Sequence, residues 1–163
     1  MTADGTAQAV QLEYGGFWRR LVATLIDTIL GGIIIFPILV AVYGWDYFSG
    51  SAGFIAGPID FLLNWVLPAI ATILFWMYKQ ATPGKMAMSL RVVDAVSGKK
   101  PSTGKLVGRY LAYYLSTIGL FLGFLWVAFD PKKQGWHDKL AGTVVVRPAK
   151  HGPEPVRFAT PSA

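Results

Sequence analysis

Asp27 lies inside an otherwise uncharged apolar run, Leu21 to Val42, with Arg19 and Arg20 at its mouth. A carboxylate at the centre of a membrane helix costs about 2.5–3.5 kcal/mol on insertion scales, so the fold must offset it. Arg20, Ala23 and Asp27 are spaced i, i+3, i+7, which puts them on one stripe of a helix, two turns and roughly 10 Å from end to end. Two chemistries fit such an acid. It can hydrogen-bond a second helix and fix packing, or it can serve as a proton or monovalent-cation site, the default reading of an ionisable group at that depth.

Two further constellations carry polar chemistry. Gln80-Ala81-Thr82-Pro83-Gly84-Lys85 contains a turn-former, with proline presetting φ and glycine free to take a positive φ. It holds the Gly-Lys pair of a phosphate loop, but the earlier glycine is absent and Met86 stands where that motif needs Ser or Thr, which argues against nucleotide binding. The stretch Gln134 to Thr143 offers Trp136 as an interface anchor beside the titratable His137 and Asp138. His151, the second of two histidines, sits in a proline-rich tail, so a metal site lacks ligands and none is expected. Asp138 is best read as an ion-pair partner for Arg20 at the inner end of the first apolar run.

The elements that must position these residues are those of a membrane domain. Hydrophobic residues make up 53% of the 163 and charged residues 15%, against about 25% charged in soluble domains. The chain predicts one small integral membrane domain, mostly α-helical, over residues 17–147, with disordered tails at 1–16 and 148–163. No cleavable signal is read at the N-terminus, and the absence of cysteine excludes disulfides and thiol chemistry. A first span is predicted from about Phe17 to Val42, where Gly31 and Gly32 would admit a close helix and Pro37 a kink. A second covers about Ile59 to Tyr78, with Asn64 and Pro68 inside it and Asp60 read as a solvated helix-N-terminal acid.

Lysine and arginine dominate Lys79 to Lys105, with Asp94 the single acid, so this loop should face the cytosol. The formal net charge of +6 is explained by these basic flanks and anionic lipid, not by nucleic acid. Met88–Val93 and Gly142–Arg147 read as short β-like runs that could pair on the cytosolic surface. The third apolar segment, Leu106 to Phe129, is long enough to span, yet basic residues flank both of its ends. Ser116, Thr117, Gly119 and Gly123 interrupt it, which favours a broken or re-entrant segment that returns the chain to the cytosolic side.

Phe17 to Asp27, Thr82-Pro83-Gly84-Lys85 with Leu90 to Asp94, and Trp136 to Val145 together resemble the RDD family of small membrane proteins, over about Gly15 to Val146. The arginine and two aspartates that name the family fall on Arg20, Asp27 and Asp138, the doublet Arg19-Arg20 leaving open which arginine corresponds. The resemblance implies a fold and a site and, because some relatives are described as sodium–proton antiporters, a hint of transport.

Two functions follow as expectations. In one, Asp27 exchanges protons with a monovalent cation, Arg20 and Asp138 gate the cytosolic side, and Arg19, Asn64 and His137 support the site. Two or three spans cannot enclose an alternating pathway, so this requires a homo-oligomer. In the other, the protein is a non-transporting adaptor that binds a partner helix or anionic lipid. Either places it as a multi-pass protein of a bacterial-type inner membrane. No nucleophile–base pair or cofactor motif is present, so neither an enzyme nor a bound cofactor is expected.

Overall fold

A long apolar sequence that carries Asp27 as its one charge beyond Arg20 forms a single helix, α1 (Phe17–Tyr43), which continues through Pro37. The computed structural model describes residues 11–49, 55–119 and 122–149. The second long helix, α2 (Pro58–Lys79), contains a π turn over Leu62–Val66. Pro68 explains that turn: it has no N–H to give the Asn64 carbonyl, and its ring crowds that carbonyl, so the helix widens just ahead of it. At 27 and 22 residues, α1 and α2 are long and apolar enough to cross a bilayer. Two short loop-side helices follow in the chain, α3 (Pro83–Ala87) and, near the end, α6 (Trp136–Ala141).

Between them the third apolar segment is broken, as its central Ser, Thr and Gly residues predict. α4 (Thr103–Ile118) and α5 (Leu122–Phe129) meet at a bend of 100°. The expected β-like pair forms, but as part of a larger sheet. Strands β1 (Leu12–Tyr14), β2 (Arg91–Asp94) and β3 (Thr143–Pro148) form an antiparallel sheet ordered β1-β3-β2. The register pairs Val92 with Val145 and Glu13 with Arg147. Central β3 alternates between two apolar clusters, as a period of two requires. Val145 packs with Val92, Leu90, Leu106, Trp76 and Ala23, while Val144 and Val146 pack with Val93, Leu12 and Tyr14.

This sheet corrects the tail boundaries. Residues 12–14 are a strand, held by backbone bonds, by Leu12 and Tyr14 on the second cluster and by a Glu13–Arg147 ion pair. At the other end residues 148 and 149 are also placed in the sheet, since β3 includes Pro148 and Ala149 N donates to Gln11 O at 2.7 Å. Residues 1–10 and 150–163 lie outside the described residues. At the glycine pair a Cβ on Gly31 or Gly32 meets nothing within 4 Å among the described residues, so no described helix of this chain approaches there. The close approach is at Gly84, where a Cβ would stand 2.0 Å from the Ala23 carbonyl oxygen. Gly84 is not among the residues with positive φ, so α3 needs glycine there for contact with α1 and not for a turn conformation.

Candidate functional site

The first turn of α1 places Arg20 against the N-terminus of α6, which carries His137 and Asp138. Asp138 occupies the third position of its helix and accepts the Gly135 N–H at 3.0 Å, as an acid at that position should. Its side chain is fully buried, and Arg20 Nη1 forms the predicted ion pair with Oδ2 across 118 residues of sequence. Arg20 is then locked by two main-chain acceptors, Nε donating to Gly15 O at 2.8 Å and Nη2 to Lys133 O at 2.5 Å. Arg19 is exposed and has no ion pair among the described residues, so of the doublet it is Arg20 that pairs with Asp138.

A second guanidinium completes the cluster. Arg109 on α4 is buried, its Nη2 lies 2.7 Å from Asp138 Oδ1, and its Nη1 donates to Thr143 Oγ1 at 2.9 Å. The guanidinium stacks over Trp76 at 5.1 Å. Burial alone would raise the Asp138 carboxyl, but Arg109 and then Arg20 outweigh it and hold it well below the usual carboxylate range. His137 Nε2 stands 3.6 Å from Asp138 Oδ1. Burial pushes His137 down to about 3, opposed by Asp138 and reinforced by Arg109, Arg20 and Lys85, so it is neutral at pH 7. With the acid ionised and the imidazole neutral, two guanidiniums share one carboxylate at pH 7. Arg109 was legible only as a flanking charge; the signal was an arginine set within an apolar segment, where a charge needs a partner.

Asp27 is brought to α3 and not to Asp138. Its Oδ2 accepts the Thr82 hydroxyl at 2.5 Å and its Oδ1 accepts the Gly84 N–H at 2.7 Å, so the carboxylate caps the start of α3 from the side of α1. Asn64 belongs to neither group. It is exposed and donates to Asp60 Oδ1 at 2.6 Å, at the other end of α2. Asp60 itself is buried and not solvated as predicted: Tyr47 Oη, Asn64 and the Ala56 N–H all donate to it.

Between α1, α2 and α5 runs a cleft of about 760 Å³, floored by Arg20, Asp27, Lys85 and Arg109. Among the described residues no three His, Asp or Glu side chains converge as metal ligands.

Relatives fit this picture. The chain is 30% identical to the uncharacterized protein YxaI of Bacillus subtilis over 154 residues, covering 80% of this chain and 95% of that one. It is 30% identical to the uncharacterized membrane protein YteJ of the same organism over 149 residues, 86% of this chain and 85% of that one. It is 43% identical to the uncharacterized protein RP437 of Rickettsia prowazekii over 75 residues, 46% of this chain, and the match spans only 41% of that relative's length. No solved structure matches. The family model described as the RDD family matches residues 14–142, which contain Arg20, Asp27, Asp138 and every helix described above, and the chain belongs to that family.

Proposed function

We propose that the chain is a multi-pass protein of a bacterial-type cell membrane that binds a membrane partner and does not transport ions. In this reading Arg20 and Asp138 fasten the sheet and α6 to the inner end of α1, and Asp27 fastens α3 to the same helix. The observation that carries it is the state of Asp27. Both of its oxygens already accept protein donors, from Thr82 and Gly84. The other charges that line the same cleft, Arg20, Lys85 and Arg109, are all positive. A monovalent cation at Asp27 would have to share a carboxylate that already accepts a protein donor on each oxygen, inside a field that repels it.

Sodium and proton flux across liposomes holding the purified full-length protein tests the reading. Flux at the level of protein-free liposomes is expected for wild type and Asp27→Asn alike. Cation-dependent proton flux in wild type would overturn it, and loss of that flux in Asp27→Asn would assign exchange to Asp27.

A further inference from the structure

Lys85 is a buried ammonium that no carboxylate of the described residues touches directly. It is 7% exposed, and its Nζ reaches only Thr82 Oγ1, at 3.5 Å, and the face of Trp76, at 5.8 Å. That hydroxyl donates to Asp27 and accepts from one of the three N–H groups of the ammonium, which leaves the other two without an acceptor among the described residues. No carboxylate of the described residues lies within 4 Å of Lys85, whereas Arg20 and Arg109 share Asp138. In the cluster of Arg20, Lys85, Arg109, Asp27 and Asp138, three cations therefore face two carboxylates, with His137 neutral, and one positive charge is left uncompensated. Arg109 Nε, also buried, has no hydrogen-bond partner among the described residues. Burying charge without compensation is expensive, so the site calls for an external anion.

The cleft above Lys85 says what kind. It follows α1 from Leu21 to Ile35 and is lined on its other sides by apolar residues such as Leu67 and Phe75 of α2 and Leu125 of α5. That stretch of α1 is about 21 Å long, enough to flank an acyl chain of one leaflet, about 15 Å deep in a ~30 Å hydrocarbon core. Its volume of about 760 Å³ falls in the range of small-molecule sites. A cation at the base of a long apolar groove matches an amphiphile with a negative head. An apolar helix from a second chain would fill the groove and leave the ammonium unpaired.

We infer that the cleft between α1, α2 and α5 binds an anionic phospholipid of the cytosolic leaflet, its phosphate on Lys85 and one acyl chain along Leu21 to Ile35. The inference names the ligand of the binding reading above and rests on it.

Native mass spectrometry of the full-length protein in neutral detergent, offered phosphatidylglycerol or phosphatidylcholine with identical acyl chains, is the test. Wild type should retain phosphatidylglycerol with a preference of about tenfold, the size of one charge-assisted contact. Lys85→Gln, which keeps the length and hydrogen-bonding capacity but not the charge, should bring the two lipids near parity. Lys99→Gln, on an exposed loop position, should leave the preference intact. Gly31→Leu should lower retention of both lipids, because it extends a side chain into the cleft from a position where a Cβ is unobstructed. Equal retention of the two lipids by wild type would overturn the inference. So would a preference that survives Lys85→Gln, or one that Lys99→Gln abolishes. If thermal melts show Lys85→Gln unfolded, Gly31→Leu decides: undiminished retention there overturns the site. Failure of these results without ion flux would sink the lipid site alone, while ion flux in the liposome assay would sink the binding reading.

Discussion

At the scale of single residues, Asp138 is worth more to the fold than either arginine that holds it. Removing Arg20 leaves Asp138 with Arg109 and the Gly135 N–H. Removing Asp138 leaves two guanidiniums at the same point with no anion between them. We therefore expect Asp138→Ala to cost about 3–5 kcal/mol, the range for a broken buried pair, and Arg20→Ala distinctly less. Thermal or denaturant unfolding in detergent would measure both, and equal costs would remove Arg109 from the cluster. In the double variant the two losses should be non-additive by at least ~0.5 kcal/mol, since the side chains touch.

His137 sets a second, pH-dependent limb. Its folded value, about 3, lies below its ordinary 6.5, so the stability it contributes as a neutral buried ring is fully present above pH 6.5 and is lost as pH falls from there toward 3. Asp138 adds an acid limb of the same sign at lower pH, because its carboxyl is held below the ordinary range. Melting temperatures across pH 8 to 4 should fall below pH 6.5 in wild type. His137→Gln should flatten the part between about 6.5 and about 4 and spare the rest. A wild-type curve flat down to pH 4 would show that His137 is not held neutral.

At the scale of elements, the junction of α1 with α3 depends on one missing side chain and one carboxylate. A methyl group at Gly84 would meet the Ala23 carbonyl, which is backbone and cannot swing aside, so Gly84→Ala should destabilise the protein more than any change at Asp27. Asp27→Asn should cost no more than about 1 kcal/mol. The amide oxygen can accept from Gly84 N, and the Thr82 hydroxyl can turn to accept from the new N–H₂. Asp27→Leu leaves the Gly84 N–H without that acceptor and should cost about 1–3 kcal/mol. Unfolding midpoints that rank Asn with Leu would mean that the negative charge itself, and not the acceptor geometry, holds α3 in place.

At the scale of the whole molecule, the sheet fixes the topology. β1 precedes α1, β2 follows α2, and β3 follows the bent pair α4–α5, yet all three strands are hydrogen-bonded to one another. A sheet cannot be divided by a bilayer, so in a membrane the N-terminal flank of α1, the C-terminal flank of α2 and both flanks of the bent pair α4–α5 should share one side, and α4–α5 should return to the side from which it starts. The chain has no cysteine, so single cysteines can report this without background. Ser97→Cys and Ala149→Cys should be labelled from the same side of sealed vesicles by a membrane-impermeant maleimide. Labelling from opposite sides would break the sheet and restore a third full span.

The apolar lengths, the basic flanks, the break in the third segment and the pairing of Arg20 with Asp138 could all be read in the linear chain. Hydrophobic length, positive charge beside a span and turn-forming residues act over a few positions, so one sequence suffices to see them. The sequence also determined that Asp138 needs a cation at the depth of Arg20. Tertiary packing decided the rest. It drew Arg109 and Lys85 into a buried site, turned Asp60 from a solvated acid into a buried one, recruited residues 12–14 as a third strand and gave Gly84 its role through Ala23. The desolvation of a charge, the pairing of a strand edge and the space left for a Cβ are set by atoms that folding delivers from distant parts of the chain, as Asp138 is delivered to Arg20 from 118 residues away.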